Sequence, residues 1–185
     1  MPLIAGEMVE IVLVRHASSS GQWPDAALSP EGFLQAEALR DLLAEFRLER
    51  IISSPFRRAL QTIEPFCRQA GLEAEIDPRL AECSLGGVDL PDWREQLRRS
   101  FDDLDHCPAG GESGRAAQER ARAMIRAASE GGRRCALITH GRLLALMLKW
   151  VAPAFSYDDW SRLTNPDVFV LRLPPAGPSS FRRVW

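Results

Sequence analysis

The run Val9 to Val14 limits the possible folds more than any other stretch of this 185-residue chain. It is short, rich in β-branched residues and barely alternates with polar positions. Such a run suits a strand buried on both faces of a parallel sheet. The pattern then recurs with helical stretches between the strands. Ser29-Pro30 reads as an N-cap followed by proline at the first helical position, opening a helix through Leu34, Leu39, Leu42, Leu43 and Phe46. Arg50 to Ser53 reads as a second strand, and Phe56 to Gln69 as a helix with an expected kink at Pro65 and a stop at Gly71. Glu73 to Ile76, Cys135 to Thr139 and Val168 to Leu173 read as further strands, and Ser113 to Ser129 as a helix closed by Gly131-Gly132. Gly141 opens another helix, ended by Pro153, and a Pro-rich turn leads into the tail Phe181 to Trp185. Alternation of this kind predicts an α/β fold, a three-layer α/β/α sandwich with a mainly parallel central sheet. Length predicts one domain over 1–185. From Cys83 to Ala109 the pattern weakens around a helix at Asp92 to Leu104, and this stretch (83–109) is expected to be a cap inserted over the site.

Composition removes several function classes. With 45% apolar residues and a formal net charge of -2, the chain is neither a disordered segment nor a generic nucleic-acid binder. No stretch approaches the roughly 18 apolar residues of a spanning helix, and Met1 to Met8 lacks the pattern of a secretory leader, so a cytoplasmic protein without a membrane partner is the expectation. Cys67, Cys83, Cys107 and Cys135 show no metal-ligand spacing and read as buried reduced thiols; no metal and no cofactor is expected. Lys149 is the one lysine among 23 basic residues, so an arginine near a motif carries little weight by itself.

The first strand ends on Arg15-His16. A guanidinium next to an imidazole disfavours its protonation and leaves a lone pair free, while offering a fork of donors that matches phosphate oxygens. Taken alone, the dipeptide reads more readily as a strand end in solvent with its histidine bonded in a turn. His140 follows Cys135 to Thr139, and active sites of such sheets lie beyond the carboxyl ends of strands, where both histidines are predicted to fall. The remaining histidine, His106, falls in the expected cap and reads as a rim residue.

Four blocks in chain order carry a resemblance: Arg15-His16-Ala17-Ser18-Ser19; Ser53-Ser54-Pro55-Phe56-Arg57-Arg58-Ala59-Leu60-Gln61-Thr62; Leu80-Ala81-Glu82; and Ile138-Thr139-His140-Gly141, with Gly110-Gly111-Glu112-Ser113 before the last. Together they resemble the histidine phosphatase superfamily, the phosphoglycerate mutase-like family, from about Val9 to about Leu171. The resemblance implies that His16 attacks phosphorus to give a phosphohistidine, that Arg15, Arg58 and His140 hold the phosphoryl group, and that Glu82 is the proton donor. It further implies that Gln22, Ser18 and Gly141 border the phosphate, with Ser19 another possible donor, that Ser113 caps a helix and that Glu112 steadies the pocket. Asp77, Asp89, Asp92 and Glu112 also lie in loops or at element ends, so Glu82 competes with them for the acid's role. Two departures stand out. Ala17 replaces the usual glycine after the nucleophile, and Leu85-Gly86-Gly87-Val88 replaces the Trp-Glu-Gly pattern of many phosphatase branches.

The expectation is a metal-independent phosphatase acting on a small phosphorylated metabolite. A cofactor-dependent phosphoglycerate mutase is the alternative, echoed in Trp23, Asp25, Leu28-Ser29-Pro30, Gly32 and the pair Arg98-Arg99, which could grip a carboxylate. Against it, the stretch 83–109 is shorter than the mutases' usual insertion, which leaves water access to phosphohistidine. A noncatalytic module that binds phosphorylated ligands is the third reading.

Overall fold

The computed structural model describes residues 8–87 and 90–185. Val88, Asp89 and the leader reading of Met1 to Met8, apart from Met8 itself, therefore lie outside the described residues. Six strands form one sheet: β1 (Val9–Arg15), β2 (Arg50–Ser53), β3 (Ala74–Ile76), β4 (Cys135–Thr139), β5 (Asp167–Leu173) and β6 (Ser180–Arg183), in the order β3-β2-β4-β1-β5-β6. The pairs β1–β4, β2–β4 and β2–β3 are parallel, whereas β5 runs antiparallel to both β1 and β6. The sheet is thus mixed and mostly parallel, as the pattern of strands and helices predicts.

Period-two alternation sorts the strand side chains into two cores. On one face Val12, Val14, Ile51, Ala136 and Ile138 pack against α1 (Pro30–Ala44) and α2 (Arg57–Ala70) through residues such as Leu39, Leu43 and Ile63. On the other, Ile11, Leu13, Ile52 and Leu137 meet α4 (Gly114–Ser129) and α5 (Gly141–Val151) through Met124, Ile125, Leu143 and Leu144. Helices α3 (Trp93–Asp102) and α6 (Tyr157–Ser161) form a satellite cluster on α5, in which Leu97 and Phe101 meet Ala145.

Local chemistry sets the element ends. The Ser29 hydroxyl accepts from the Gly32 N–H at the start of α1, a cap worth about 1 kcal/mol. Ser113 caps α4 in the same way through Ala116. The αL conformation of Gly71, at φ 67°, closes α2, which runs unbroken through Pro65. The sequence gives little sign of α6, of the 3₁₀ turn Pro78–Leu80, or of β6 as a paired strand.

Candidate active site

Parallel register assembles the site. Because Arg15 pairs with Thr139, the next residue on each strand is a histidine, and the His16 and His140 rings stand 5.0 Å apart, edge to face. Ser53 pairs with Ile138 on the other side of β4, which puts Ser54 against His140, Oγ to Nε2 at 2.7 Å. The Thr139 hydroxyl donates to the Leu80 carbonyl at 2.9 Å and so ties the approach to Glu82 to the same sheet edge.

His16 is buried and held as one tautomer. Its Nδ1–H donates to the Ala17 carbonyl at 2.7 Å, while Nε2 accepts from the Nε–H of Arg58 at 3.1 Å. Burial, reinforced by the Arg58 and Arg15 charges and partly opposed by the Ala17 bond, lowers its pKa to about 3. Its ring is therefore neutral at ordinary pH, with a lone pair on Nε2. His140 is fully buried, and its pKa too is held well below the ordinary value, first by burial and then by His16 and the nearby arginines. Ser54 Oγ accepts from the Phe56 N–H at 3.2 Å, which frees its own proton for His140 Nε2; Nδ1 then carries the other proton and is buried without a partner.

Two cavities share Arg15, Gln22, Glu82 and Gly141 on their walls. The smaller, about 200 Å³, is also bordered by His16, Ser18, Ser19 and Asn165. The larger, about 510 Å³, extends away over Leu85, Leu90, Trp93, Leu97 and Trp160, beside Arg142. Six of the eight candidate residues, Arg15, His16, Ser18, Gln22, Glu82 and Gly141, thus border the small cavity. Arg58 and His140 pack behind His16 and border neither.

Arg15 spends one terminal nitrogen on the Leu163 and Thr164 carbonyls, at 3.1 and 3.2 Å. Its guanidinium lies over Gly141, where a Cβ would stand 3.0 to 3.1 Å from it, so glycine here leaves the cation its place. Arg58, only 1% exposed, also donates to the Gln22 and Trp23 carbonyls, which fixes the loop carrying Gln22. Burial lowers the pKa of both arginines, and the Glu82 charge pulls it back.

Glu82 is no solvated surface residue. Its Oε1 accepts from the Cys83 and Leu143 N–H groups and Oε2 from that of Arg142, each at 3.0 Å, so the carboxylate sits at the N-terminus of α5. Among the described residues it is the one carboxylate on either cavity wall. The competing acids are engaged elsewhere: Asp77 with Arg79, Glu112 with Arg120 through two bonds of 2.7 Å, and Asp92 with Gln96. His106 bonds Gln96 and borders neither cavity. Ala17 needs no glycine-only backbone, because Arg47 is the sole non-glycine residue with positive φ among those described; its N–H donates to Thr62. Cys107 is exposed, contrary to the expectation of four buried thiols; Cys67, Cys83 and Cys135 are buried and all four are free. Arg98 stacks on Tyr157 at 4.3 Å and borders neither cavity, which removes it from the expected carboxylate grip.

Sequence reasoning missed Asn165 and Arg142. Asn165 donates to the His16 carbonyl at 2.7 Å from a segment without a motif. Arg142, 5% exposed, donates to the Cys83, Ser84 and Glu112 carbonyls and lashes the loop after Glu82 to α5. Its position next to His140-Gly141 was the available signal, masked by the abundance of arginine.

The sequence profile of the histidine phosphatase superfamily (branch 1) matches residues 11–180. The chain belongs to that superfamily. A curated relative, "Probable phosphoglycerate mutase GpmB" of Escherichia fergusonii, is 27% identical over 165 residues, covering 78% of this chain and 75% of that protein. Among solved structures, a mycobacterial glucosyl-3-phosphoglycerate phosphatase superposes with a TM-score of 0.76 at 26% identity, over 97% of this chain and 99% of that one. A phosphoglycerate mutase from Bacillus anthracis shares the fold at a TM-score of 0.71 and 17% identity, over 96% and 92% of the two chains.

Proposed function

We propose that this protein is a phosphatase that hydrolyses a small phosphomonoester through a phosphohistidine on Nε2 of His16. The observation that carries the reading is the tautomer of His16: the Nδ1–H is spent on Ala17, and Nε2 keeps its lone pair, met by the Arg58 donor, in a ring that borders the small cavity together with Arg15. In the reaction the lone pair attacks phosphorus in line with the departing oxygen, forming the N–P bond as the P–O bond breaks. Arg58, whose donor already meets Nε2, transfers it to a phosphoryl oxygen, and Arg15 and the Nδ1–H of His140 serve the others. Charge on the three equatorial oxygens is thereby neutralised by the chain's own groups. Glu82 gives its proton to the leaving oxygen, and Oε2, with one N–H partner, has a lone pair left to carry it. Water then attacks phosphorus, the P–N bond breaks and the water proton returns to Glu82, so one carboxyl group serves both half-reactions. The substrate is a small phosphorylated metabolite and the setting the cytoplasm.

The superfamily also contains mutases, but the engagement of Arg98 with Tyr157 weighs against a grip on a carboxylate there. Phosphate release from p-nitrophenyl phosphate in EDTA, run beside 3-phosphoglycerate with bisphosphoglycerate primer, separates the readings. Release without isomerisation is expected; isomerisation would make it a mutase, and silence in both a binding module. His16→Ala is expected to abolish turnover and the acid-labile phosphoenzyme trapped by rapid quench. Full activity in that variant would end the mechanism.

A further inference from the structure

We propose that the larger cavity is a leaving-group chamber that selects phosphomonoesters of ring-sized apolar alcohols over those of sugars. This rests on the phosphatase reading and names its substrate class. The two cavities are joined through Arg15, Gln22, Glu82 and Gly141, so an ester with its phosphoryl group at His16 directs its alcohol past Glu82 into the 510 Å³ space. That volume lies within the roughly 300 to 1,000 Å³ typical of small-molecule sites.

The chamber has a polar end and an apolar end. Its charged groups are Arg15 and Glu82, shared with the phosphoryl cavity, and Arg142, whose terminal nitrogens already serve three backbone carbonyls. Beyond them the described wall consists of Leu85, Leu90, Leu97 and the indoles of Trp93 and Trp160 beside the Gly86-Gly87 backbone, with the Trp160 Nε1–H buried and without a partner. A sugar carried into this end strips water from its hydroxyls and finds few partners, which costs affinity, whereas an apolar ring gains by burial against the same wall. Trp93, 40% exposed at the start of α3, is a large apolar side chain left without full cover by the chain itself. An apolar ring in the chamber would cover it.

The wall is also built in advance. Gly111 permits contact with the Leu85 carbonyl, to which a Cβ would come within 2.4 Å. Ser84 O accepts from the Glu112 N–H at 2.8 Å, and Gly87 N–H donates to Ala109 O at 3.0 Å. With Arg142 these bonds fix the 83–87 loop, and with it the place of Leu85 on the wall.

Cyclohexylmethyl phosphate and glucose 6-phosphate test the proposal, since both are primary alkyl esters on a six-membered ring and differ in the sugar's hydroxyls and ring oxygen. The full-length enzyme is expected to favour the cyclohexylmethyl ester in kcat/KM by about tenfold or more, and Trp93→Ala and Trp160→Ala each to cut that preference by about fivefold. Preference for the sugar ester, or a ratio unmoved in both variants, would overturn it. If neither ester turns over, p-nitrophenyl phosphate release decides the phosphatase reading, and calorimetric binding of the two esters decides the chamber separately. Tighter binding of the apolar ester, by about tenfold, upholds the selectivity; equal or reversed affinities end it.

Discussion

At residue 82 one carboxylate is held by three backbone N–H groups and also faces both cavities, so its placement is structural and chemical at once. A glutamine there presents its NH₂ group to donors that want an acceptor and has no proton to give. Glu82→Gln is therefore expected to slow alkyl phosphates by about 10²-fold or more, and p-nitrophenyl phosphate, whose anion leaves unaided, by distinctly less. Equal losses on the two would remove Glu82 as the acid. Residue 16 bears on the pH profile. Because its ring stays neutral down to about pH 3, an acid limb in kcat/KM near the ordinary histidine pKa belongs to another group or to the phosphomonoester itself. What could be read at this scale was residue type: Arg15, His16, Ser18, Gln22, Glu82 and Gly141, each named from the sequence, border the small cavity. Asn165 and Arg142 act through the carbonyls of residues remote in sequence, and no local pattern encodes such a contact.

Among the elements, α1 does most to shape the rim of the small cavity. Ser18 O accepts from the Ser29 N–H at 2.9 Å, and Gln35 Oε1 accepts from the Ser18 N–H at 2.8 Å, so the first turns of α1 clamp the segment that follows His16. Gly32 makes this approach possible, because a Cβ there would lie 1.9 Å from the Ser18 carbonyl oxygen. Gly32→Ala must push helix and loop apart and is expected to cost about 3 kcal/mol or more, read as a lower urea midpoint at unchanged m-value, together with a loss of kcat/KM. A shift below about 1 kcal/mol would show that the clamp yields easily. The cap of α1, its proline and its apolar spacing were legible because each acts within one turn of helix. The strand β6 and helix α6 were not, since β6 is defined by its pairing with β5 and α6 spans only five residues.

For the whole molecule, the two buried histidines couple folding to pH. Each folds with a pKa depressed below its unfolded value, so the unfolded chain binds more protons as pH falls below about 6.5. Their neutral burial costs nothing above that pH. Below it stability falls, and the contribution of His16 continues to decline until pH approaches its folded pKa of about 3, by on the order of 5 kcal/mol in all. Denaturant unfolding from pH 7 to pH 4 is expected to show this decline, and His16→Ala to flatten part of it. An identical slope in the variant would assign the effect to other groups.

The antiparallel edge of the sheet reaches Arg15 by a chain of bonds. Arg183 on β6 pairs with fully buried Asp167, at 2.6 and 2.8 Å; Asp167 accepts from the Thr164 N–H, and the Thr164 carbonyl takes a bond from Arg15. Without Arg183, the buried Asp167 loses its ion-pair partner and two of its hydrogen bonds. The last few residues are consequently a strut for the Arg15 guanidinium, and cutting the chain back to the end of β5 would leave that side chain less firmly braced.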